Sequence, residues 1–187
     1  VVKYTGPFGF IKPWTAVRDS ETFSQQFLTP SIVEGIEKKL FPELLAQQGV
    51  ISKILRHRLN YAGIETQKER TWSKGGISVY KDKNQYKTNM ATLDRGVMLS
   101  PNLYLAFSNE RDAETAAEQH LCLCRNEDIL LPEMIFESVE TDFDNIDGFE
   151  LLFAGDNENV FKVGHNRYAS AKEMYGVLKV FGNPIRS

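Results

Sequence analysis

Apolar and polar positions along the chain predict a mixture of short strands and amphipathic helices. The N-terminal "VVKYT" predicts a strand, which Gly6 and Pro7 end. The aromatic segment from Phe8 to Phe27 shows neither a helical nor an alternating period, so we predict a long loop with extended pieces. Loops of that length within a domain are usually functional or mobile.

The first predicted helix lies in "TPSIVEGIEKKLF". Thr29 can cap it with Pro30 at the first helical position, or Ser31 can cap it with Glu34 as its partner. Its apolar stripe is formed by Ile32, Val33, Ile36 and Leu40, and the residues expected to face water are Glu34, Glu37, Lys38 and Lys39. Gly35 in its middle costs about 1 kcal/mol relative to alanine, and we expect it to allow tight packing of the helix on a sheet.

Later segments complete an α+β pattern. We predict a second helix from Gln48 to Leu59 with a basic outer side, and then a β-hairpin with a cationic tip from "GISVY" and "YKTNMATL". "NLYLAFS" predicts a strand, and "DAETAAEQHL" predicts a helix introduced by Ser108 or Asn109. Further strands are predicted in "LLPEMIFESV", "FELLFAG", "VFKVG" and "YGVLKVFG". This order favours a ferredoxin-like (RRM-like) α+β fold with a β-rich C-terminal extension.

Length and composition favour one domain across residues 1–187. We expect a ferredoxin-like core with the basic helix and hairpin in residues 1–110 and an acidic, β-rich part in residues 111–187. No apolar run approaches membrane-spanning length, and Cys122 and Cys124 are too close to form a disulfide framework. We therefore expect a cytoplasmic protein without a membrane partner.

Charge is divided along the chain. Residues 50–100 hold ten Lys or Arg against four acids, a surplus of six positive charges, whereas residues 126–160 hold eleven acids and no Lys or Arg. This division predicts either one surface that faces a polyanion and another that repels it or meets a basic neighbour, or two ordinary solvated faces.

Three segments resemble the RAMP superfamily of CRISPR-associated proteins. They are "GPFGFIKP" followed by "TPSIVEGIEKKLF", the segment "NQYKTNMATLDRGVMLSPNLYLAF", and "VGHNRYASAKEMYGVLKVFG", which is similar to a degenerate glycine-rich loop. They cover about a third of the chain, and the resemblance is strongest to the subunit of type I (Cascade-like) effector complexes that holds the 5′ handle of the crRNA.

The resemblance implies a non-catalytic subunit that grips this handle, caps the backbone filament and contacts the large subunit. Target DNA near the protospacer-adjacent motif is a further expected partner, and no cofactor is implied. The aromatic loop and the hairpin from Ile77 to Leu93 are then expected to supply contacts.

Cations interleaved with aromatic side chains predict where RNA binds, since a single strand needs both phosphate contacts and flat surfaces. The expected RNA-binding residues are Lys12, Trp14, Arg18, Lys53, Arg56, Arg58, Arg70, Trp72, Lys74, Lys81, Lys83 and Lys87. For any single tryptophan, a place in the core remains the alternative.

A metal-independent endoribonuclease that processes precursor crRNA is the enzymatic alternative. One branch of the family carries a basic residue followed by histidine in the segment that reads "QYKTN" here, where the histidine is absent. The remaining candidates for acid–base chemistry are His57, with Lys87 and Tyr86. A third interpretation is a protein-docking module without RNA binding, in which the acidic segment meets a basic partner.

Other chemistries have little support in the sequence. His120, Cys122, Cys124 and His165 contain zinc-ligand residue types but lack the usual spacing, and we predict no metal. Phosphate-loop, dinucleotide-binding and nucleophile-elbow motifs are absent from the sequence.

Overall fold

The computed structural model describes residues 1–15, 20–72, 76, 78–153 and 160–186. The elements in chain order are β1 (Val2–Thr5), β2 (Phe8–Gly9), β3 (Glu21–Phe23), α1 (Pro30–Leu40), a 3-10 helix (Pro42–Leu44), β4 (Ile54–Asn60), β5 (Gly63–Thr71), β6 (Val79–Asp82), β7 (Gln85–Thr88), β8 (Ala91–Leu99), β9 (Asn102–Phe107), α2 (Glu110–Ala117), β10 (Leu121–Cys122), β11 (Ile129–Ile135), α3 (Glu140–Asp144), β12 (Gly148–Phe153), β13 (Phe161–Asn166) and β14 (Lys172–Phe181). Within these residues, no helix is both long and apolar enough to cross a membrane.

The elements β1, α1, β4, β9, α2 and β11 form the ferredoxin-like βαββαβ unit. Their strands lie side by side in the order β11-β1-β9-β4, and each pair of neighbours is antiparallel. The predicted α+β, ferredoxin-like fold is thus confirmed. The second helix of this unit begins at Glu110 and its fourth strand is β11, whereas the expected core covers residues 1–110.

The same sheet continues on both sides of this unit. β10 pairs with β11 at one edge, and β12, β14 and β13 follow β4 at the other, which gives eight strands. The three strands after β4 are the predicted C-terminal β-rich extension. β4 and β12 share one ladder pair, Leu59 and Phe149, and side-chain contacts such as His57 with Phe153 join the two strands beyond it.

The main core lies between one face of this sheet and the helices α1 and α2. Buried side chains of the core cluster include Val2, Tyr4, Val33, Leu40, Leu59, Leu103, Leu105, Ala113, Ala116 and Leu130. The hydroxyl of Tyr4 donates a hydrogen bond of 2.6 Å to the carbonyl oxygen of Ala116, which ties β1 to α2. A smaller cluster of Leu151, Val163 and Met174 supports the C-terminal extension.

The predicted helix from Gln48 to Leu59 is wrong, because this segment contains β4. Its apolar spacing fits a helix, but His57 and Leu59 point into the core while Arg58 points to the other face of the sheet, where it is also buried. Both faces of β4 are covered, so the alternation typical of an exposed strand is missing from the sequence.

Helix α1 begins where predicted, with Thr29 at the N-cap position and Pro30 in the first turn, but the Thr29 side chain makes no capping hydrogen bond within the described residues. The expectation that Glu34, Glu37 and Lys38 face water is wrong, since all three are buried. The carboxylate of Glu37 accepts hydrogen bonds from the backbone N–H groups of Ser52, Lys53 and Ile54, so it fixes the start of β4. Helix α1 is therefore packed on its polar side as well as on its apolar stripe.

Gly35 also lies on a side of α1 that the sequence does not assign correctly. A Cβ added there would stand 3.0 Å from Nη2 of Arg167 and 3.0 Å from the hydroxyl of Tyr168. The close neighbour is thus the turn after β13, whereas the sequence analysis expects the sheet.

Strands β5 and β8 form a long antiparallel arm. Nine residue pairs join them, from Gly63 with Leu99 to Thr71 with Ala91, which corresponds to about 30 Å of strand. At the far end β6 and β7 form the predicted hairpin, which is confirmed. β8 also pairs with β2 and, in parallel, with β3, so the base of the arm is joined to the N-terminal segment.

Candidate nucleic-acid interface

The β5–β8 arm carries cations whose charge the protein does not neutralise. Arg70, Lys81 and Lys83 are exposed and form no ion pair with the residues that the structure describes. Lys68 on β5 shares these properties, and the sequence analysis did not select it. Lys87 differs, because its ammonium pairs with the Asp82 carboxylate.

Exposed aromatic rings accompany these cations. Trp72 is 55% exposed, Tyr80 is 52% exposed and Tyr86 is 77% exposed. Across the tip, Tyr80 is paired with Lys87, and Lys81 is paired with Tyr86. Side chains of a directly opposed pair lie on the same face of a ladder, so each face of the tip presents one tyrosine and one lysine.

The N-terminal loop supplies a second group of predicted residues. Lys12 is exposed, and the Trp14 ring meets His165 edge-on with ring centres 5.8 Å apart. The ammonium of Lys162 lies 5.6 Å from the Trp14 ring centre. Trp14 therefore rests on β13 and keeps 46% of its surface exposed. Two further predicted residues, Arg18 and Lys74, lie outside the described residues.

Lys53, Arg56 and Arg58 do not form the exposed basic side that the predicted helix required. The ammonium of Lys53 lies 2.6 Å from an Asp112 carboxylate oxygen. Arg58 is fully buried, and its guanidinium lies 3.0 Å from the Glu150 carboxylate and 3.5 Å from the Phe181 ring centre. Carboxylates of the same protein neutralise these three charges. Arg58 is therefore not an RNA contact, and Lys53 and Arg56 have structural roles.

Glu150 is the centre of this internal ion cluster. Its carboxylate also accepts hydrogen bonds of 3.0 and 2.6 Å from Arg56, whose Nη2 lies 2.8 Å from Asp144. Burial alone raises the pKa of Glu150, but the hydrogen bonds and charges of Arg56 and Arg58 outweigh burial and lower that pKa below its ordinary value. Asp144 and Glu150 of the acidic segment thus pair with basic residues of β4 in the same chain.

The three candidates for acid–base chemistry are not brought together. His57 is 3% exposed, and its ring stacks on Phe153 with centres 5.4 Å apart. Burial lowers the pKa of His57 to about 4, against the attraction of Glu150. Tyr86 and Lys87 are neighbours on β7 and therefore project to opposite faces of the tip.

The zinc-ligand residue types around Cys122 and Cys124 are not grouped in the described part of the chain. Cys122 is half-buried and Cys124 is exposed, and both are free thiols. Across the described part of the chain, no three His, Cys, Asp or Glu side chains are grouped for a metal ion.

A groove of about 990 Å³ opens at the end of the sheet beside α2 and α3. Its apolar lining includes Leu55, Phe107 and Phe143. Exposed carboxylates also line it, and they belong to Glu110, Glu137, Glu140 and Asp142. None of the four pairs with a cation of the described residues. An apolar surface edged with unpaired acids favours a basic protein partner over a nucleic acid.

Comparison with known proteins identifies the fold. No protein-family model matches the sequence, and no curated protein matches it significantly. Among solved structures, the chain is similar to a chain of a structure described as a "CRISPR RNA-guided surveillance complex". The TM-score is 0.54 at 9% sequence identity, and the similarity covers 98% of this chain and 90% of the other. At this identity the similarity shows a shared fold, which extends across nearly the whole of both chains.

Proposed function

We propose that this protein is a non-catalytic RNA-binding subunit of a CRISPR effector complex, in which it holds the 5′ handle of the crRNA and caps the backbone. The observation that carries the proposal is the β5–β8 arm, where unpaired cations stand among exposed aromatic rings. The shared fold with a chain of an RNA-guided surveillance complex supports the same assignment.

The arm has the two features that single-stranded RNA requires. Arg70, Lys81 and Lys83 can contact phosphates without first breaking an internal ion pair, so little energy is lost when they bind. Trp72 and Tyr86 offer flat surfaces for unstacked bases, and each stacked base contributes about 1–3 kcal/mol. At the tip, the unpaired Lys81 shares a face with Tyr86, whereas Lys87 beside Tyr80 is paired with Asp82, so the face of Tyr86 is the better place for a strand.

The groove lined by unpaired acids supports a second part of the proposal, namely contact with other effector subunits. A backbone or large subunit that presents apolar side chains flanked by Lys or Arg complements its lining. Its acids repel RNA and target DNA, so we propose that nucleic acid follows the arm, and that DNA near the protospacer-adjacent motif approaches from the arm side. The proposed site of action is the cytoplasm.

The test mixes the purified protein with labelled CRISPR repeat RNA in EDTA. Anisotropy at several salt concentrations measures binding, and a denaturing gel of the same samples measures cleavage. The triple variant Arg70→Gln, Lys81→Gln and Lys83→Gln should reduce the salt slope by about 2, since each phosphate contact on a single strand contributes about 0.7. Lys179→Gln on β14 is the matched control, because it removes one exposed lysine from the C-terminal extension.

The outcomes separate the proposal from its alternatives. The handle-binding subunit is supported if wild type binds intact RNA in a salt-sensitive way. The triple variant must then bind more weakly, and the control must bind like wild type. A discrete cut in EDTA supports the metal-independent endoribonuclease instead. Weak binding that does not respond to salt or to the triple variant leaves the docking module, whose partner is then sought at the groove lined by acids.

A further inference from the structure

A smaller groove, of about 390 Å³, lies along α1. One wall is a line of Ser31, Gly35 and Lys39, which are spaced by four residues and so share one face of the helix. The opposite side includes the segment 121–124 and Lys12 from the N-terminal loop, and Arg167 from the turn after β13 also lines the groove. We call it the α1 groove.

The α1 groove is lined by three cations and by no acid of the described residues. Lys12, Lys39 and Arg167 are all exposed, and none of them pairs with a carboxylate in the described part of the chain. Among the described residues, the ammonium of Lys39 donates its hydrogen bond to the carbonyl oxygen of His120. The protein has 25 acids and 22 Lys or Arg, so a cationic groove without a carboxylate runs against the overall composition. Its positive potential favours an anionic ligand.

Gly35 has a physical role in this groove. Without a side chain there, the guanidinium of Arg167 and the ring of Tyr168 can lie close to the helix, where a Cβ would stand 3.0 Å from each. Tyr168 holds this arrangement, because the Arg167 guanidinium lies 4.9 Å and the Lys38 ammonium 4.2 Å from its ring centre. Glycine at this position costs about 1 kcal/mol of helix stability relative to alanine, but it leaves room for the Arg167 guanidinium beside the helix.

We infer that the α1 groove binds the phosphodiester backbone of single-stranded RNA through Lys12, Lys39 and Arg167. This inference rests on the proposed function and adds a second contact region to the arm. A flexible anionic backbone fits a narrow groove whose helical wall carries a glycine and a serine.

The experiment compares wild type with the double variant Lys39→Gln and Arg167→Gln. Both side chains are exposed, and a thermal unfolding curve is used to check that the variant is folded. With labelled CRISPR repeat RNA, the loss of two phosphate contacts should lower the salt slope by about 1.4 and weaken binding about 25-fold at 0.1 M salt. The control Lys179→Gln should leave the slope within error of wild type.

A second measurement identifies the group that is contacted. A set of repeat RNAs is made in which one phosphate at a time is replaced by a neutral methylphosphonate. At some positions the replacement should weaken binding to wild type but not to the double variant. Such positions support the inference, because the protein charge and the phosphate charge are then lost as one interaction.

The two proposals fail in distinguishable ways. If the double variant keeps the wild-type slope while the arm variant loses affinity, the α1 groove inference is overturned and the proposed function stands. If the double variant weakens binding but every methylphosphonate acts equally on both proteins, the groove does not contact phosphates and the inference is also overturned. If wild type binds no RNA, both are overturned.

Discussion

The buried histidine of β4 makes stability depend on pH in a way that the structure predicts. The side chain of His57 is in the core, its Nε2 atom has no hydrogen-bond partner among the described residues, and its ring stacks on Phe153. Burial lowers its pKa to about 4, and the nearby charges of Arg58 and Arg56 act in the same direction. In the unfolded chain the same group has an ordinary pKa of about 6.5.

Between these two pKa values, the unfolded chain binds a proton that the folded protein does not. The free energy of unfolding therefore falls as pH falls from about 6.5 towards about 4. From pH 7 to pH 5 the expected loss from this residue is about 2 kcal/mol, and the full loss below both pKa values is about 3 kcal/mol. Carboxylates titrate mainly below pH 5, so they contribute little to the change in the free energy of unfolding between pH 7 and pH 5.

The assay is urea unfolding of wild type and His57→Leu at pH 7, 6 and 5. The variant should be at least as stable as wild type at pH 7, because it removes a buried polar atom without a partner, and it should lack the decrease of about 2 kcal/mol by pH 5. His120→Leu is the control, since it removes an exposed histidine. Parallel pH profiles for wild type and His57→Leu would refute the assignment of the slope to His57.

Three other substitutions test the internal hydrogen bonds. Glu150→Gln removes the buried carboxylate that pairs with Arg58 and leaves the half-exposed Asp144, 3.8 Å away, as its remaining counter-charge among the described residues. It should lower the free energy of unfolding by about 3–5 kcal/mol in urea; a loss below 1 kcal/mol would contradict the buried ion cluster. Glu37→Ala removes the acceptor at the start of β4 and should cost about 3–5 kcal/mol, and a thermal midpoint equal to wild type would show that water replaces the carboxylate. Asn109→Ala removes the side-chain oxygen that accepts from the Asp112 N–H at 2.9 Å, and should cost about 1 kcal/mol by thermal unfolding, whereas Asn109→Ser should retain most of it.

Most elements could be predicted from the sequence because their signals are local. The start of α1 follows from Thr29 and Pro30, that of α2 follows from Asn109, and the arm tip follows from the polar turn between two β-prone runs. Strand β5 was missed, because its nine residues contain few apolar side chains and its partner β8 lies about 30 residues later.

The error at β4 has a different cause. The apolar residues from 50 to 59 fit a helical period, and nothing in that segment shows that Arg58 will be buried against Glu150, which lies 92 positions away in the chain. A basic segment is typical of an RNA-binding face, and its own sequence does not show that a distant acidic residue will pair with it in the fold. The same limit explains Glu34 and Glu37, whose partners include backbone N–H groups of a later loop and, for Glu34, the distant side chain of Asn166.

The candidate site was predicted in part. Interleaved aromatic and basic residues identify the tip correctly as an exposed cationic hairpin, because its own turn fixes its geometry. Lys39 and Arg167 were missed, since they are 128 positions apart and meet only when the turn after β13 packs on α1. The sequence pattern of neither segment indicates that Lys39 and Arg167 line the same groove.

The strand pairing of β8 has a mechanical consequence. Its outer residues pair only with β5, whereas its inner residues also hold β3 and β2, the two strands that enclose the aromatic loop. Both ends of that loop are thus anchored to the same strand that reaches the tip. We therefore expect a force that bends the arm to shift both anchored ends of this segment together, and with them the nearby Lys12 and Trp14.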